Sequence, residues 1–282
     1  MDDIKIIAVY CIIEEAMRGL GHRSHPLAGV TDAEVLLVGV VSAMYFHNHH
    51  ERTLFVMKGM SYITHPLSTS RFSRRLHSLA AEGWLEYVLE MLGQLYSGGE
   101  AYVIDSVPVP VCKRVRAYRC RKIPGTHRHA RHFFGRCHSK GWRFYGWRLH
   151  LICTPQGVPI RFEMLPASWH DLTPIYELTF GLPKGASVYA DKGYISALVK
   201  RTLRPTARRT DGVQLVAKAK RSMKRDNTFE EWCGLREYRH TIESAFSQLV
   251  NMGIQRLHAR TNQGLAIKVL SSLLALAAIN IF

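Results

Sequence analysis

Three carboxylates in this chain have the types and surroundings to hold metal. Asp105 interrupts the short apolar run Ala101–Ser106, where Tyr102, Val103 and Ile104 favour a strand. Asp is depleted from strands, and an ionised carboxylate in an apolar layer is costly unless a cation or metal neutralises it. Asp191 ends a second apolar run in SVYADKGY, and Glu243 lies on a helical pattern in REYRHTIESAF. Three acids on separate elements suit divalent ions, because hard Mg²⁺ prefers carboxylate oxygens. Two such ions about 3.5 to 4 Å apart would supply what phosphodiester transfer needs: a deprotonated nucleophile, a stabilised leaving oxygen and in-line geometry. Simpler readings exist for two of them. Asp105 also fits the start of a turn into Ser106, Val107 and Pro108. Glu243 also fits an exposed i, i+4 pair with Arg239.

The elements that must position these acids follow from periodicity. After the strand at Asp105, Trp147, Leu149, Leu151 and Cys153 alternate on one strand and Ile160, Phe162 and Met164 on the next, joined by the turn Thr154-Pro155-Gln156-Gly157. A short helix near Ile175–Phe180, a strand Ser187–Ala190, a helix near Ile195–Leu203, a strand near Val213–Ala217 and the helix of Glu243 complete the series. Strand, hairpin, helix, strand, helix, strand, helix predicts a mixed sheet with helices on its faces. On the Glu243 helix, Leu235, Ile242, Phe246 and Leu249 form the apolar stripe, with Glu243 at its edge beside Arg236, Arg239 and His240. A last helix from about Leu265 is expected to pack on the sheet through Ile267, Leu270, Leu274 and Ala277.

The first hundred residues read as helices: Ile4–Arg18, a second opened by the Thr31/Glu34 capping box and ending near Phe46, a third over Glu51–Ile63, and a fourth from Ser70. The fourth buries Phe72, Leu76 and Leu79 and leaves Arg71, Arg74, Arg75 and Ser78 outward, which makes a helix-turn-helix possible. A solvated charged face explains the same pattern without DNA. Ser97, Gly98 and Gly99 mark a joint, so a helical DNA-binding or dimerisation region over 1–97 and a catalytic domain over 98–282 are expected.

Charge is uneven. The chain carries +16, and residues 1–100 hold 8 Lys and Arg against 11 Asp and Glu, whereas residues 101–282 hold 30 against 11. The second part therefore suits a polyanion, nucleic acid before an anionic membrane. Within it, 107–143 is a basic insertion with 11 Lys and Arg, no acid, and interleaved Tyr118, Phe133, Phe134 and Trp142. That combination offers phosphate contacts and stacking rings. Cys112, Cys120, Cys137, His127, His129, His132 and His138 also fall there, without the paired spacing of a zinc site. A second basic stretch runs over 200–225. Six Cys with no CxxC pair suggest reduced thiols in a cytoplasmic protein, the MDDIK start is unlike a secretion signal, and the apolar tail is interrupted by Ser271 and Ser272, so no membrane span is expected.

Taken together, VIDSVPVPVC, RCRKIPG, SKGWRFYGWRLH, SWHD, VYADKGY and YRHTIESAFS, with TDAEVL and SRFSRRLH in the helical part, resemble the DDE transposases of bacterial insertion sequences, above all the insertion sequence 982 group. The resemblance implies an RNase H-like catalytic domain, cleavage at element ends and strand transfer into target DNA. It also implies Asp105, Asp191 and Glu243 as the catalytic, metal-binding triad for two Mg²⁺ ions, with Mn²⁺ substituting. Arg239 matches the arginine of a tyrosine-arginine-glutamate-lysine signature, from which the chain departs at Arg236 and Val250, although Tyr238 is close by. Double-stranded DNA and a homodimer are the implied partners, with no membrane and no organic cofactor. The expected DNA contacts are Arg71, Arg74, Arg75, Arg114, Arg116, Arg119, Arg121, Lys140, Lys192, Arg236, Arg239 and His240. Two rival functions remain open: a catalytically inactive DNA-binding protein of the same fold, and a structure-selective metal-dependent nuclease.

Overall fold

In the computed structural model, which describes residues 1–63, 65–123, 129–137, 141–203, 212–219 and 227–282, the strand carrying Asp105 is longer than expected. This strand, β1, runs Ala101–Lys113. It continues past Pro108 and Pro110 because its parallel neighbour β5, Ser187–Ala190, pairs with Ala101–Ile104 and no further. From Asp105 onward one edge of β1 needs no ladder donors, so proline is tolerated there. On its other edge β1 pairs antiparallel with β3, Trp142–Cys153, and the register shifts between Pro110 and Cys112. Gly146 permits that irregularity: a Cβ there would lie 2.5 Å from the Val109 carbonyl oxygen.

The far edge of β3 is shared by β2, Phe134–Cys137, and β4, Pro159–Pro166. The hairpin of β3 and β4 closes as expected, with the Thr154 amide on the Val158 carbonyl at 3.0 Å and Gly157 at φ +87. On the parallel side β6, Gln214–Ala217, pairs with β5, giving the order β2-β3-β1-β5-β6 with β4 beside β3. Ile104, Ala190 and Ala217 stand in register across β1, β5 and β6. One face is closed by α6 (Ile175–Thr179) and α7 (Ala197–Leu203), whose Ile175, Leu178, Val199 and Leu203 pack with Tyr102, Ile104, Ile152, Val188 and Leu215.

The chain divides into two compact units, Gly93–Ser247 with the sheet, and Met1–Leu92 with Gln248–Phe282. The cuts fall inside two helices, α5 (Trp84–Tyr96), which is absent from the expected series although Leu85, Val88, Leu89 and Leu92 recur at helical spacing, and α8 (Phe229–Asn251). In the second unit α2 (Asp32–Phe46) is the central helix, with α1 (Asp3–Gly19), α3 (His50–Gly59), α4 (Thr69–Ala81) and α9 (Asn262–Ile281) against it. The expected Thr31/Glu34 capping box opens α2, the Glu34 amide donating to Thr31 Oγ1 at 3.2 Å. Asn48 Nδ2 donates to the Met252 carbonyl at 3.1 Å and to Ser272 Oγ at 3.0 Å, satisfying a buried amide.

The last helix, for which a sheet-facing stripe was expected, has α2 as its main partner, and 248–282 falls in one compact unit with 1–92. The reason is visible in α9 itself, buried almost continuously from Val269 to Ala278 where one sheet-facing stripe was expected. Among the described residues α9 is the one helix long and apolar enough to cross a membrane, and 67% of it is buried against its neighbours. In addition, α3 and α4 are separated by residues 60–68, longer than the three- or four-residue turn of a helix-turn-helix.

Candidate active site

Asp105 follows Ile104 and Asp191 follows Ala190, so the two acids stand side by side where the parallel strands β1 and β5 part. The third acid comes from α8. Gly234 sets the approach of that helix to the sheet, since a Cβ there would lie 2.3 Å from the Tyr189 ring. Tyr238, one turn on, stacks on the same Tyr189 with ring centroids 5.0 Å apart, and Thr241 Oγ1 donates to the Pro155 carbonyl at 2.9 Å. Ile242 and Ala245 face inward, which leaves Glu243 at the border of the buried stripe as its spacing predicts. The result is a cavity of about 410 Å³ lined by Asp105, Asp191, Glu243, Lys218, Arg236, Arg239 and Trp232, among others.

The electrostatics of the three acids differ. Burial pushes the Asp105 carboxyl up to about 7; the Ser106 amide, donating to Oδ1 at 2.8 Å, opposes the shift, and the charges of Asp171 and Asp191 add to it. Asp191 is exposed, in the turn from β5 into Lys192–Tyr194. Glu243 Oε1 accepts from Arg239 Nε at 2.8 Å, with side chains 56% and 54% exposed. The i, i+4 pair that was the simpler reading of Glu243 is therefore formed, at the rim of the same cavity.

A fourth acid lies behind the first. Asp171, in the SWHD segment, accepts from Ser106 Oγ at 2.9 Å, and that hydroxyl accepts from Arg148 Nη1 at 3.1 Å. Arg148 and His150 each stand 3.9 Å from Asp171 Oδ1. His150 is fully buried, and burial lowers it to about 4 while the Asp171 charge works the other way. Ser106 thus ties the Asp105 carboxylate, through its amide, to this set through its hydroxyl. Sequence reading missed Asp171 as a site residue. Its signal was an acid next to a histidine just after the hairpin, and nothing local says that it folds behind β1. Lys218 and Trp232 were missed as well, Lys218 being one base among many in 200–225.

As a donor set for a divalent ion, the acids fit in chemistry: hard oxygen ligands, one with its pKa raised by burial and by neighbouring carboxylates, which a cation would relieve. Among the described residues no three His, Cys, Asp or Glu side chains stand close enough to share one ion, and Glu243 is paired with Arg239.

The expected DNA contacts fall in several places. Arg236 and Arg239 line the cavity, with the Arg236 guanidinium 5.6 Å from the Trp232 ring centroid. His240 and Lys192 are exposed. Arg114, Arg116, Arg119 and Arg121 are exposed on and after a 3₁₀ turn over Arg114–Arg119, with Arg119 over the Tyr118 ring and Arg114 over Phe134. Lys140 lies outside the described residues, as do His127 and His138. Arg71, Arg74 and Arg75 line a separate cavity of about 590 Å³. Of these Arg75 is engaged, with Nη1 on the Val30 carbonyl at 2.7 Å and Nη2 on Asp32 Oδ1 at 2.5 Å, so it serves the helical unit before any ligand.

Residues 97–263, which carry all of these acids, match the family model described as Transposase DDE domain. A transposase for insertion sequence element IS1106 from Neisseria meningitidis serogroup B is 31% identical over 104 residues, 37% of this chain and 35% of the relative. The aligned stretch thus spans about a third of that protein. Among solved structures, the piggyBac transposase synaptic complex with hairpin DNA matches with a TM-score of 0.50 at 11% identity, over 97% of this chain and 71% of that one. At that identity the likeness concerns fold alone, and it agrees with an RNase H-like mixed sheet with flanking helices.

Proposed function

This chain belongs to the transposase DDE domain family, and from that premise we propose that it is a DNA transposase, cutting DNA at the ends of an insertion sequence and joining the freed 3′-hydroxyl to target DNA. The observation that carries the proposal is the shared cavity: Asp105, Asp191 and Glu243 come from three elements far apart in sequence and line one crevice. In open α/β sheets, ligands bind in the crevice outside the carboxyl ends of the parallel strands; Asp191 follows the last residue of β5, and Asp105 stands where β1 leaves its parallel pairing with β5.

The acids would hold divalent ions, two Mg²⁺ in our reading with Mn²⁺ able to replace them. Such ions would supply activation of an oxygen nucleophile and stabilisation of the leaving oxygen. The chain supplies the rest. Ser106 orients the Asp105 carboxylate through its amide, and Asp171 with Arg148 holds Ser106. Arg239 covers Glu243 until a cation competes for that carboxylate. Arg236, Lys192, His240 and the arginines of the basic insertion hold the DNA backbone, and their charge is part of the excess in residues 101–282. Paired element ends favour a homodimer acting in the cytoplasm. The named relative comes from IS1106, so placement in the insertion sequence 982 group stays part of this proposal.

The test is joining of a labelled DNA end to a second duplex with Mg²⁺ present and absent. Metal-dependent joined product supports transposition. Cleavage without joining would replace it by a nuclease, and salt-sensitive binding with neither reaction by an inactive DNA-binding protein.

A further inference from the structure

Ile104, Ala190 and Ala217 are in register across three parallel strands, so the residues that follow them, Asp105, Asp191 and Lys218, form one row where the parallel pairing of β1, β5 and β6 ends. All three line the acid cavity. The backbone that carries Lys218 is fixed on both sides. Its own amide donates to the Ala190 carbonyl at 3.1 Å, immediately before Asp191. Asn227, just ahead of α8, donates through Nδ2 to the Ala217 carbonyl at 3.1 Å and accepts through Oδ1 from the Ala219 amide at 2.8 Å. A surface lysine in a basic run needs no such clamp.

The other cations of the cavity have partners: Arg239 is on Glu243, and Arg236 is over Trp232. Among the described residues Lys218 forms no ion pair and stacks on no ring. An ammonium beside a row of acids is repelled by bound divalent ions but attracted to the anion those ions attract. Its three rotatable donors on a flexible stem can follow an oxygen whose position changes during a displacement, which a planar guanidinium does less readily.

We propose that Lys218 is the phosphate-binding cation of the acid site, contacting a non-bridging oxygen of the DNA linkage that is cut. The assignment rests on the transposase reading above and adds to it a residue from the end of β6. Because Lys218 is exposed, its removal leaves the core intact.

The experiment is a charge-deletion cycle. Wild type, Lys218→Ala and Lys218→Arg are compared on duplexes carrying the end of the element that encodes the chain, each duplex with one uncharged methylphosphonate linkage near the end. Binding is read in Ca²⁺ and cleavage in Mg²⁺. One linkage is expected to weaken wild-type binding several-fold when neutralised and to leave Lys218→Ala binding unchanged, and Lys218→Ala is expected to slow cleavage of ordinary DNA by roughly 100-fold, with partial recovery in Lys218→Arg. Equal losses for wild type and Lys218→Ala at every linkage, or wild-type cleavage by Lys218→Ala, overturn the assignment. A wild type that never cleaves yet shows the linkage-specific coupling removes the transposase activity and leaves the Lys218 contact standing.

Discussion

Arg239 and Glu243 form an i, i+4 pair, Nε to Oε1 at 2.8 Å, and both line the cavity that Asp105 and Asp191 also line. Both side chains are more than half exposed, so the pair is worth little by itself and opens at small cost. A divalent ion on Asp105 and Asp191 would outcompete Arg239 for the carboxylate. Released, the guanidinium is free for a phosphate.

From this pairing, Glu243→Gln should eliminate cleavage in Mg²⁺, whereas Glu230→Gln, Glu231→Gln and Glu237→Gln should retain most of it. Glu231 is spent on the start of α8, exchanging bonds with Thr228 at 3.2 Å each and meeting Lys200 at 3.3 Å. Glu230 and Glu237 are exposed and outside the cavity lining. A cleavage assay on purified variants decides it. Near wild-type cutting by Glu243→Gln would remove it from the triad.

If these acids hold metal and not phosphate, as proposed, Asp105→Asn and Asp191→Asn should each abolish strand cleavage and leave DNA affinity within a few-fold. Filter binding alongside the cleavage assay separates the two effects. Retained cutting by either variant would exclude that acid.

Much of this site is legible before any coordinates. Asp105 and Asp191 declare themselves because an acid at the end of an apolar run conflicts with its own neighbours, and Glu243 because helical spacing puts it beside Ile242 and Phe246. The strand ladder is less legible where it breaks local rules. Ser106, Val107 and Pro108 read as the start of a turn, yet β1 passes through them and through Pro110 because the missing β5 neighbour is a tertiary fact. The four-residue strand β2 carries too little pattern to stand out, and α9 reads as a sheet-packing helix because a stripe and an all-round apolar helix begin with the same residues. Asp171 and Lys218 depend on register and on a crossover behind the sheet, which no local pattern encodes.

The raised Asp105 carboxyl has a measurable consequence in metal-free protein. Its folded pKa of about 7 lies above the ordinary value of 3.8, so between these limits the folded state binds the extra proton. Stability from this group is therefore present at low pH and lost as pH rises through about 7. Melting of the metal-free chain should fall across that window, and Asp105→Asn should flatten the fall and raise the melting temperature at pH 8. Saturating Mg²⁺ should restore stability to wild type at pH 8 and leave Asp105→Asn unmoved. Identical pH profiles for the two proteins would contradict the assignment of the shift.

Arg114, Arg116, Arg119 and Arg121 are exposed near the rings of Tyr118 and Phe134. Their contribution to DNA binding should be mainly to phosphate, so replacing all four by Ala should flatten the plot of log affinity against log salt by about 0.9 for each phosphate no longer neutralised. An unchanged slope means that this turn does not touch DNA.

Asp171 should act through Ser106. The Ser106 hydroxyl donates to Asp171 Oδ1 at 2.9 Å and accepts from Arg148 at 3.1 Å, while its amide donates to Asp105 Oδ1 at 2.8 Å. Gly193 is close on the other side, where a Cβ would come 3.1 Å from Asp171 Oδ2, so the acid backs both the Asp105 strand and the turn after Asp191. Asp171→Ala removes the acceptor and leaves Arg148 without its counter-charge, so Ser106 is free to turn and Asp105 loses its fixed orientation. Outer residues of this kind change metal affinity by roughly 10-fold. Asp171→Ala should therefore raise the Mg²⁺ concentration for half-maximal cleavage by about that factor, with DNA affinity unchanged. Asp171→Asn keeps an oxygen for Ser106 but removes a charge that raises Asp105, so it should keep most of the Mg²⁺ affinity while moving the metal-free stability inflection to lower pH. A purely structural Asp171 would lower the melting temperature in both variants and move neither the Mg²⁺ requirement nor the inflection.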